Sequence, residues 1–600
     1  MWSIPTYDAS SNSDKGDRMS RLGTTSIDSS SRPTPRSAKR ILSHQIHAGK
    51  HKKIAAASLI AALGVALSAC SSTSSSSGTT TTSLSKSHLP PLVMESSQES
   101  TVNQTFNPFQ SNSASTTLGM NSMIYEPLIQ FDIANTKVKY PWLATSYKWG
   151  PGDKSITFTI RKGVEWSNGT PFSAADVAFT YSLLKSNPAL NTSGLPLTGV
   201  SQSGDTVTLD FSSSQYDNLQ NIASVYIVPK SIWSKVSNPA TYTDSDPIGT
   251  GPFMLSNYNT SGITLKANPH YWQANNVPEI VFPTYASSSA AEDALLNGTA
   301  TWEGNFIAGI QKSFGDTSKY HLLYFAPVNT NAFFPNLNKF PTNQLAVRKA
   351  ISLAINRTTI GKIGESGLEA PVTNAGGLTL PAFNEYLTPA AQALKENTTS
   401  NIAAAKKVLE QAGWHLQGGY FYNNQGKELT LQISDPSNYS DYYADDGLAA
   451  KELRAAGFDA VRVGDSDNGW YADIADGNFQ LTQHWSLTSV NPYNLYENWL
   501  GSSVSSSAGN FERLNNTSVD NMLNNVAAQS TVSGEANALV PIEKFVASYY
   551  PVIPTVYGAS FMEANSTNYT NWPSAKNTYE SGSPNAPTNE VVVLHLKPRN

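Results

Sequence analysis

The residues best suited to meeting a small solute lie between Phe479 and Trp499, in the run FQLTQHWSLTSVNPYNLYENW. Gln483, His484, Ser486, Thr488 and Asn491 supply neutral donors and acceptors there, and Trp485 supplies an aromatic face. Such a set suits hydroxyls and amides. It suits an isolated cation poorly, because a buried charge without an opposite partner is strongly destabilising. Patterns for covalent or nucleotide chemistry are missing: no G-x-S-x-G, H-E-x-x-H or G-x-x-x-x-G-K-[ST] occurs. Ser182 to Lys185 fits S-x-x-K but falls at the end of a predicted helix, where chance explains it. Asp465, Asp467 and Gly469 begin a calcium-loop pattern without its distal Glu, and read as a solvated turn. His270, beside Tyr271 and Trp272, reads as structural. Binding is therefore the better class, with no catalytic residue, metal or cofactor expected.

These side chains need a scaffold, and 600 residues with 39% apolar and 10% aromatic content can bury more than one core. Two or three domains are expected. A formal charge of -5 argues against a nucleic-acid partner. Ile156, Phe158 and Ile160 alternate with Thr157 and Thr159, the period of a half-buried strand. Asn168-Gly169 supplies a turn, and Ser173 with Asp176 makes a capping box ahead of Val177, Tyr181 and Leu184 at helical spacing.

The amino-terminal region reads as targeting sequence. Residues 1–53 are polar and basic, and Ile54 to Leu67 is an apolar run too short to span a bilayer comfortably. With Leu67-Ser68-Ala69-Cys70 it resembles a signal peptide ending in a bacterial lipobox, in which Cys70, the chain's single cysteine, carries the lipid. An internal disulfide is then impossible. About fifty residues precede the basic stretch, more than a signal peptide usually carries, which leaves open a start at Met19 or a cytoplasmic extension. Ser71 to Ser87 has the composition of a flexible tether.

The run RKGVEWSNGTPFSAADVAFTY resembles the signature segment of the family 5 extracellular solute-binding proteins, the peptide, nickel and oligosaccharide receptors of ABC importers. Further landmarks agree in order: MIYEPLIQFD from Met123, IGTGPFMLSNY from Ile248, the helix AVRKAISLAINRTTI from Ala346 to Ile360, AAAKKVLEQAGW from Ala403, and the strand YYPVIPTVY from Tyr549 to Tyr557. A first strand is expected at Pro90 to Met94.

The resemblance implies an α/β, periplasmic-binding-protein-like fold of two lobes joined by a hinge. Residues 1–53 are an extension and basic region, 54–69 the apolar run and lipobox, and 70–87 the lipidated Cys and linker. Domain I is assembled from 88–131, 248–336 and 556–600, with a small domain II at 132–247 and a large domain III at 337–555 inserted. Hinge crossings fall near Asn336 and Thr555. The implied function is capture of a peptide-like solute and delivery to an ABC permease, as a monomer held to the membrane outside the cytoplasm. An oligosaccharide receptor is the alternative, followed by an adaptor or enzyme on the same fold. The implied ligand contacts are Phe109, Tyr125, Trp302, His484, Trp485, Ser486, Thr488 and Asn491. Peptide-binding members carry an Asp for the peptide ammonium where this chain has Thr488, a departure that favours a neutral, polyhydroxylated ligand or a blocked peptide unless a carboxylate from elsewhere, such as Glu126 or Glu303, restores a partner. Cys70→Ala is expected to abolish metabolic palmitate labelling; retained label would refute lipidation at Cys70.

Overall fold

The computed structural model describes residues 89–95, 102–110, 112–285, 288–507 and 509–599. The expected leader, lipobox, Cys70 and tether lie outside the described residues.

Local rules build the small sheet unit as the sequence suggests. The strand Ser155–Ile160 buries Ile156, Phe158 and Ile160 and sits inside a four-stranded antiparallel sheet with Ala144–Trp149, Thr206–Phe211 and Leu197–Ser203. Gly169 turns the chain at a φ of 78°. Asp176 then accepts from the Ser173 backbone N–H at 3.0 Å, closing the capping box of the helix Ala174–Ser186. Val177, Tyr181 and Leu184 pack against the sheet in one apolar core. Each such burial contributes roughly 1.5–3 kcal/mol. Gly249 and Gly251 hold this unit to the first lobe: the Gly251 N–H donates to the Ile124 carbonyl at 2.9 Å, and a Cβ at either glycine would overlap Ile124.

A larger mixed sheet forms the frame of both lobes. In order, its strands are Asp459–Asp465, Thr430–Pro436, Leu481–Trp485, His321–Pro335, Ile553–Asn565, Trp302–Glu303, Leu92–Glu95, Glu279–Pro283, Gly262–Ala267 and Phe253–Asn259, with Ala370–Pro371 added beside Ile553–Asn565. His321–Pro335 and Ile553–Asn565 pair antiparallel from His321 opposite Asn565 to Phe333 opposite Ile553. At one end Tyr324, Ala326 and Val328 join the core of the first lobe with Met562 and Ala564. At the other, Ala332 and Phe334 face one core of the second lobe, while Phe333 faces a second core with Ile553 and Val556. That alternation is the strand's period of two acting between two apolar layers.

Several elements depart from their sequence expectation. The first strand is Leu92–Glu95, a small shift. Ala346 to Ile360 is not one helix: Leu345–Ala354 ends at Ile355, which is extended, and Asn356 caps a new turn by accepting from the Thr359 N–H at 3.0 Å. Asn side chains favour such caps over helix interiors. Tyr549 ends the helix Val532–Tyr549 instead of starting a strand, because Pro551 cannot continue a helix and the strand begins at Ile553. Asp465 to Gly469 is a strand-to-helix junction, with the Ser466 hydroxyl capping Asp467–Asp476.

The break after Ala354 lets Arg357 turn inward. Its fully buried guanidinium donates to the Pro554 carbonyl at 2.7 Å and to the Ser352 and Asn397 carbonyls at 3.1 Å, and lies 3.3 Å from Glu396. Arg357→Ala would leave those acceptors and the carboxylate without a donor. A loss of about 3–5 kcal/mol is expected, measured by urea unfolding; an unchanged midpoint would refute the anchoring role.

Candidate functional site

Between Val328 and Ala332 the long strand passes from one lobe's core to the other's, and a cavity of about 860 Å³ opens over that passage. Its floor is Val328, Asn329 and Asn331 with Gly558 to Phe561 of the facing strand. One wall comes from Gly304 to Phe306 and the segment 583–587. The other comes from Asn438 to Tyr442, Glu369, Trp485 and Thr488. Gly558 is required here, since a Cβ would overlap the side-chain oxygens of Asn329 and Asn331. The Asn329 Oδ1 is buried without a hydrogen-bond partner.

Of the residues named from sequence, Trp485 and Thr488 line this cavity. Trp485 ends the strand Leu481–Trp485 opposite Asn331, its ring tilted against Tyr442 at 6.3 Å. Ser486 continues the ladder: its hydroxyl accepts from the Thr330 N–H at 2.9 Å, and its own N–H donates to the Thr330 carbonyl. His484 is buried, stacked on Trp470 and held by the Trp485 carbonyl at 2.8 Å; burial pushes its pKa down to about 4. Asn491 caps the helix Pro492–Leu500 and reaches Asp217 at 3.4 Å. His484, Ser486 and Asn491 are thus absent from the cavity lining, contrary to expectation, and so are Phe109, Tyr125 and Trp302. Phe109 packs on Trp233, the Tyr125 hydroxyl donates to Asp244, and Trp302 is fully buried with its indole N–H on the Gly582 carbonyl at 2.8 Å.

The carboxylates facing the cavity are Glu369 and Asp441, which come from neither of the segments suggested by sequence. Glu126 instead accepts from Trp142 Nε1 at 2.7 Å, Tyr271 OH at 3.0 Å and Trp272 Nε1 at 3.1 Å, tying the small sheet unit to the first lobe. Glu303 is buried beside Glu95, where Asn305 donates to both. Glu369 is placed by Ala370 pairing with Tyr557, which brings its Oε1 to the Ala559 N–H at 2.6 Å; its Oε2 accepts from Asn331 at 2.9 Å. The signal for this cluster was present: Asp441 and Asp445 stand four apart on the helix Ser440–Ala455, and Glu365 and Glu369 flank a turn.

Burial dominates the proton affinity of this cluster. It holds Glu369 and Glu365 well above the usual carboxylate range, with neighbouring acids adding to the effect. It lifts Asp441 to about 6, Asp445 to about 7 and, one layer deeper, Asp435 to about 8, while hydrogen bonds partly oppose the rise.

Two α/β lobes built on one sheet, with a solute-sized cavity between their cores, define a binding protein of the periplasmic type. Residues 139–507 match the profile of the bacterial extracellular solute-binding proteins, family 5 Middle, and the chain belongs to that family. It is a transport receptor by family, acting outside the cytoplasm, and not an enzyme. Among its relatives, the nickel-binding periplasmic protein of Escherichia coli K12 is 26% identical over 382 residues, 60% of this chain and 70% of that protein. The dipeptide-binding protein of the same organism is 27% identical over 343 residues, 52% of this chain and 62% of that protein. The periplasmic oligopeptide-binding protein of Thermotoga maritima shares the fold with a TM-score of 0.76 at 22% identity, over 85% of this chain and 99% of that one. Its mannohexaose-bound structure gives 0.73 at 22% identity, over 85% and 98%.

A carboxyl whose folded pKa is raised keeps its proton in the folded state and loses it in the unfolded chain. Its stabilisation is complete below the unfolded value, near 4, and is lost as pH rises through the folded value. His484 acts in the opposite sense, but only between about 4 and 6.5. Above that window Asp445, Asp435 and Glu535, the last near 8, all weaken the fold as they ionise. The urea midpoint should therefore fall from pH 6.5 to pH 8, by on the order of 1 kcal/mol per pH unit for each net proton. A rising midpoint would show these carboxyls already ionised in the folded protein.

Proposed function

We propose that the chain captures a peptide-like solute in the cavity between its lobes and delivers it to the permease of an ABC importer. The carrying observation is the cavity itself, about 860 Å³ and walled by side chains from both lobes. That volume suits a solute of a few residues. Relatives named for dipeptides and oligopeptides support the reading.

The hinge in this proposal lies where the two long strands pass between cores, at Val328 to Ala332 and Val556 to Met562, a few residues from the crossings expected near Asn336 and Thr555. Closure brings the second lobe onto the small sheet unit. The Val490 N–H meets Gln220 at 3.0 Å, and Thr136 donates to the Ala382 carbonyl at 3.1 Å. In this proposal residues 132–247 are domain II, Cys70 is the lipid anchor, and the receptor works as a monomer.

Mannohexaose in the Thermotoga maritima relative favours an oligosaccharide as the second reading. A thermal-shift screen of di- to pentapeptides against manno- and cello-oligosaccharides separates the two. Ligand at a hundredfold excess over Kd should stabilise the protein by about 2.7 kcal/mol. Stabilisation by oligosaccharides alone would overturn the peptide reading.

A further inference from the structure

We infer that the lobes are latched shut by protons carried on Asp217 of the small sheet unit and Glu535 of the second lobe, so that the receptor opens as its surroundings turn from acidic to alkaline. This rests on the hinge-closure reading above and adds what controls it.

The seam is where the second lobe closes on residues 132–247, and neither acid lines the cavity. Gln220 Oε1 accepts across it from the Val490 N–H at 3.0 Å and from the Ser489 hydroxyl at 3.2 Å, and Thr136 donates to the Ala382 carbonyl at 3.1 Å. Asp217 lies in the turn Tyr216–Asn218 and is 6% exposed; Glu535 stands in the first turn of the helix Val532–Tyr549 and is 2% exposed. Asn491 joins them. Its Nδ2 reaches Asp217 Oδ1 at a long 3.4 Å, and its side chain also hydrogen-bonds Glu535. Asp217 Oδ2 and Glu535 Oε1 are buried without a partner.

The titratable groups facing the pair bring no counter-charge to it. They are Asp153 and Tyr216 from the small unit, and Glu385, Tyr386 and the Tyr493 side chain and backbone from the second lobe. Lys137, mostly in solvent, pairs across the seam with Glu385 at 3.4 Å, and Lys139 also faces Glu385. Burial therefore decides, and it favours the neutral carboxyls. It pushes Asp217 up to about 7 and Glu535 to about 8, the Asp217 charge adding to the latter. Parting the lobes returns both groups to water and to the ordinary carboxylate range, about 4. Closing thus takes up protons: the closed state is fully favoured below that ordinary range and loses ground as pH rises through the raised values. Each proton taken up shifts the closing constant about tenfold per pH unit, and affinity for solute follows the closed fraction.

Small-angle scattering on the full chain without ligand reads the latch. The radius of gyration should rise from pH 5 to pH 8 in the wild type and stay at its pH 5 value in the double variant Asp217→Asn/Glu535→Gln, whose amides stand in for the protonated acids. Hydrogen exchange on the unmodified protein, corrected for the intrinsic effect of pH, separates opening from unfolding. At pH 8 the Val490 amide, bonded to Gln220, should lose at least about tenfold of its protection, while the Phe158 amide inside the four-stranded sheet keeps its own. A wild-type radius independent of pH, an equal rise in the double variant, or unchanged protection at Val490 overturns the latch and leaves the solute-binding reading standing. That reading falls separately, if neither peptides nor oligosaccharides stabilise the protein at either pH.

Discussion

The structure depends on the antiparallel pairing of His321–Pro335 with Ile553–Asn565. These strands are the common member of both lobes' cores, so the same ladder that holds the lobes together fixes where they part. Register shifts at Pro327/Asn329 and Asn331/Ala332 fall in that stretch. Irregular pairing exposes side chains that a regular ladder would place on one face. Asn329 and Asn331 reach the cavity from this position, and Gly558 opposite them leaves the room.

Buried acids surround that passage with few buried bases. Arg357 and Arg348 are the large buried cations of the second lobe: Arg357 donates to the Pro554 and Ser352 carbonyls and the Ser352 hydroxyl and pairs with Glu396, and Arg348 donates to the Tyr549 and Thr342 carbonyls. Neither approaches Glu369 or Asp441 by hydrogen bond or ion pair.

Short-range features were legible in the sequence. Ser173 and Asp176 cap the helix they were expected to cap, and Ile156, Phe158 and Ile160 bury the face their spacing implies. The family landmarks placed these pieces in order because their turn glycines and capping residues act locally. Of the proposed contacts, Trp485 and Thr488 line the cavity, while Tyr125 and Trp302 are closed into the first lobe's core. Aromatic character marks a residue that packs; it does not say against what. Glu365 and Glu369 flanking a turn marked an acidic pair, but their neighbourhood did not say that a short strand pairing, Ala370 with Tyr557, carries Glu369 to the cavity. The helix break at Ile355 was hidden for a similar reason: the demand comes from Arg357 and its distant acceptor Pro554.

The first described strand, Leu92–Glu95, has a mechanical consequence. It lies inside the large sheet, parallel to Glu279–Pro283 on one side and to Trp302–Glu303 on the other. A pull applied ahead of Leu89 acts along this strand, while its hydrogen bonds run across it. The load then falls on both ladders together in shear, instead of opening them one bond at a time, and Leu92 and Met94, fully buried, must slide out with the strand. A load entering from the amino-terminal side of Leu92 would therefore meet two ladders at once.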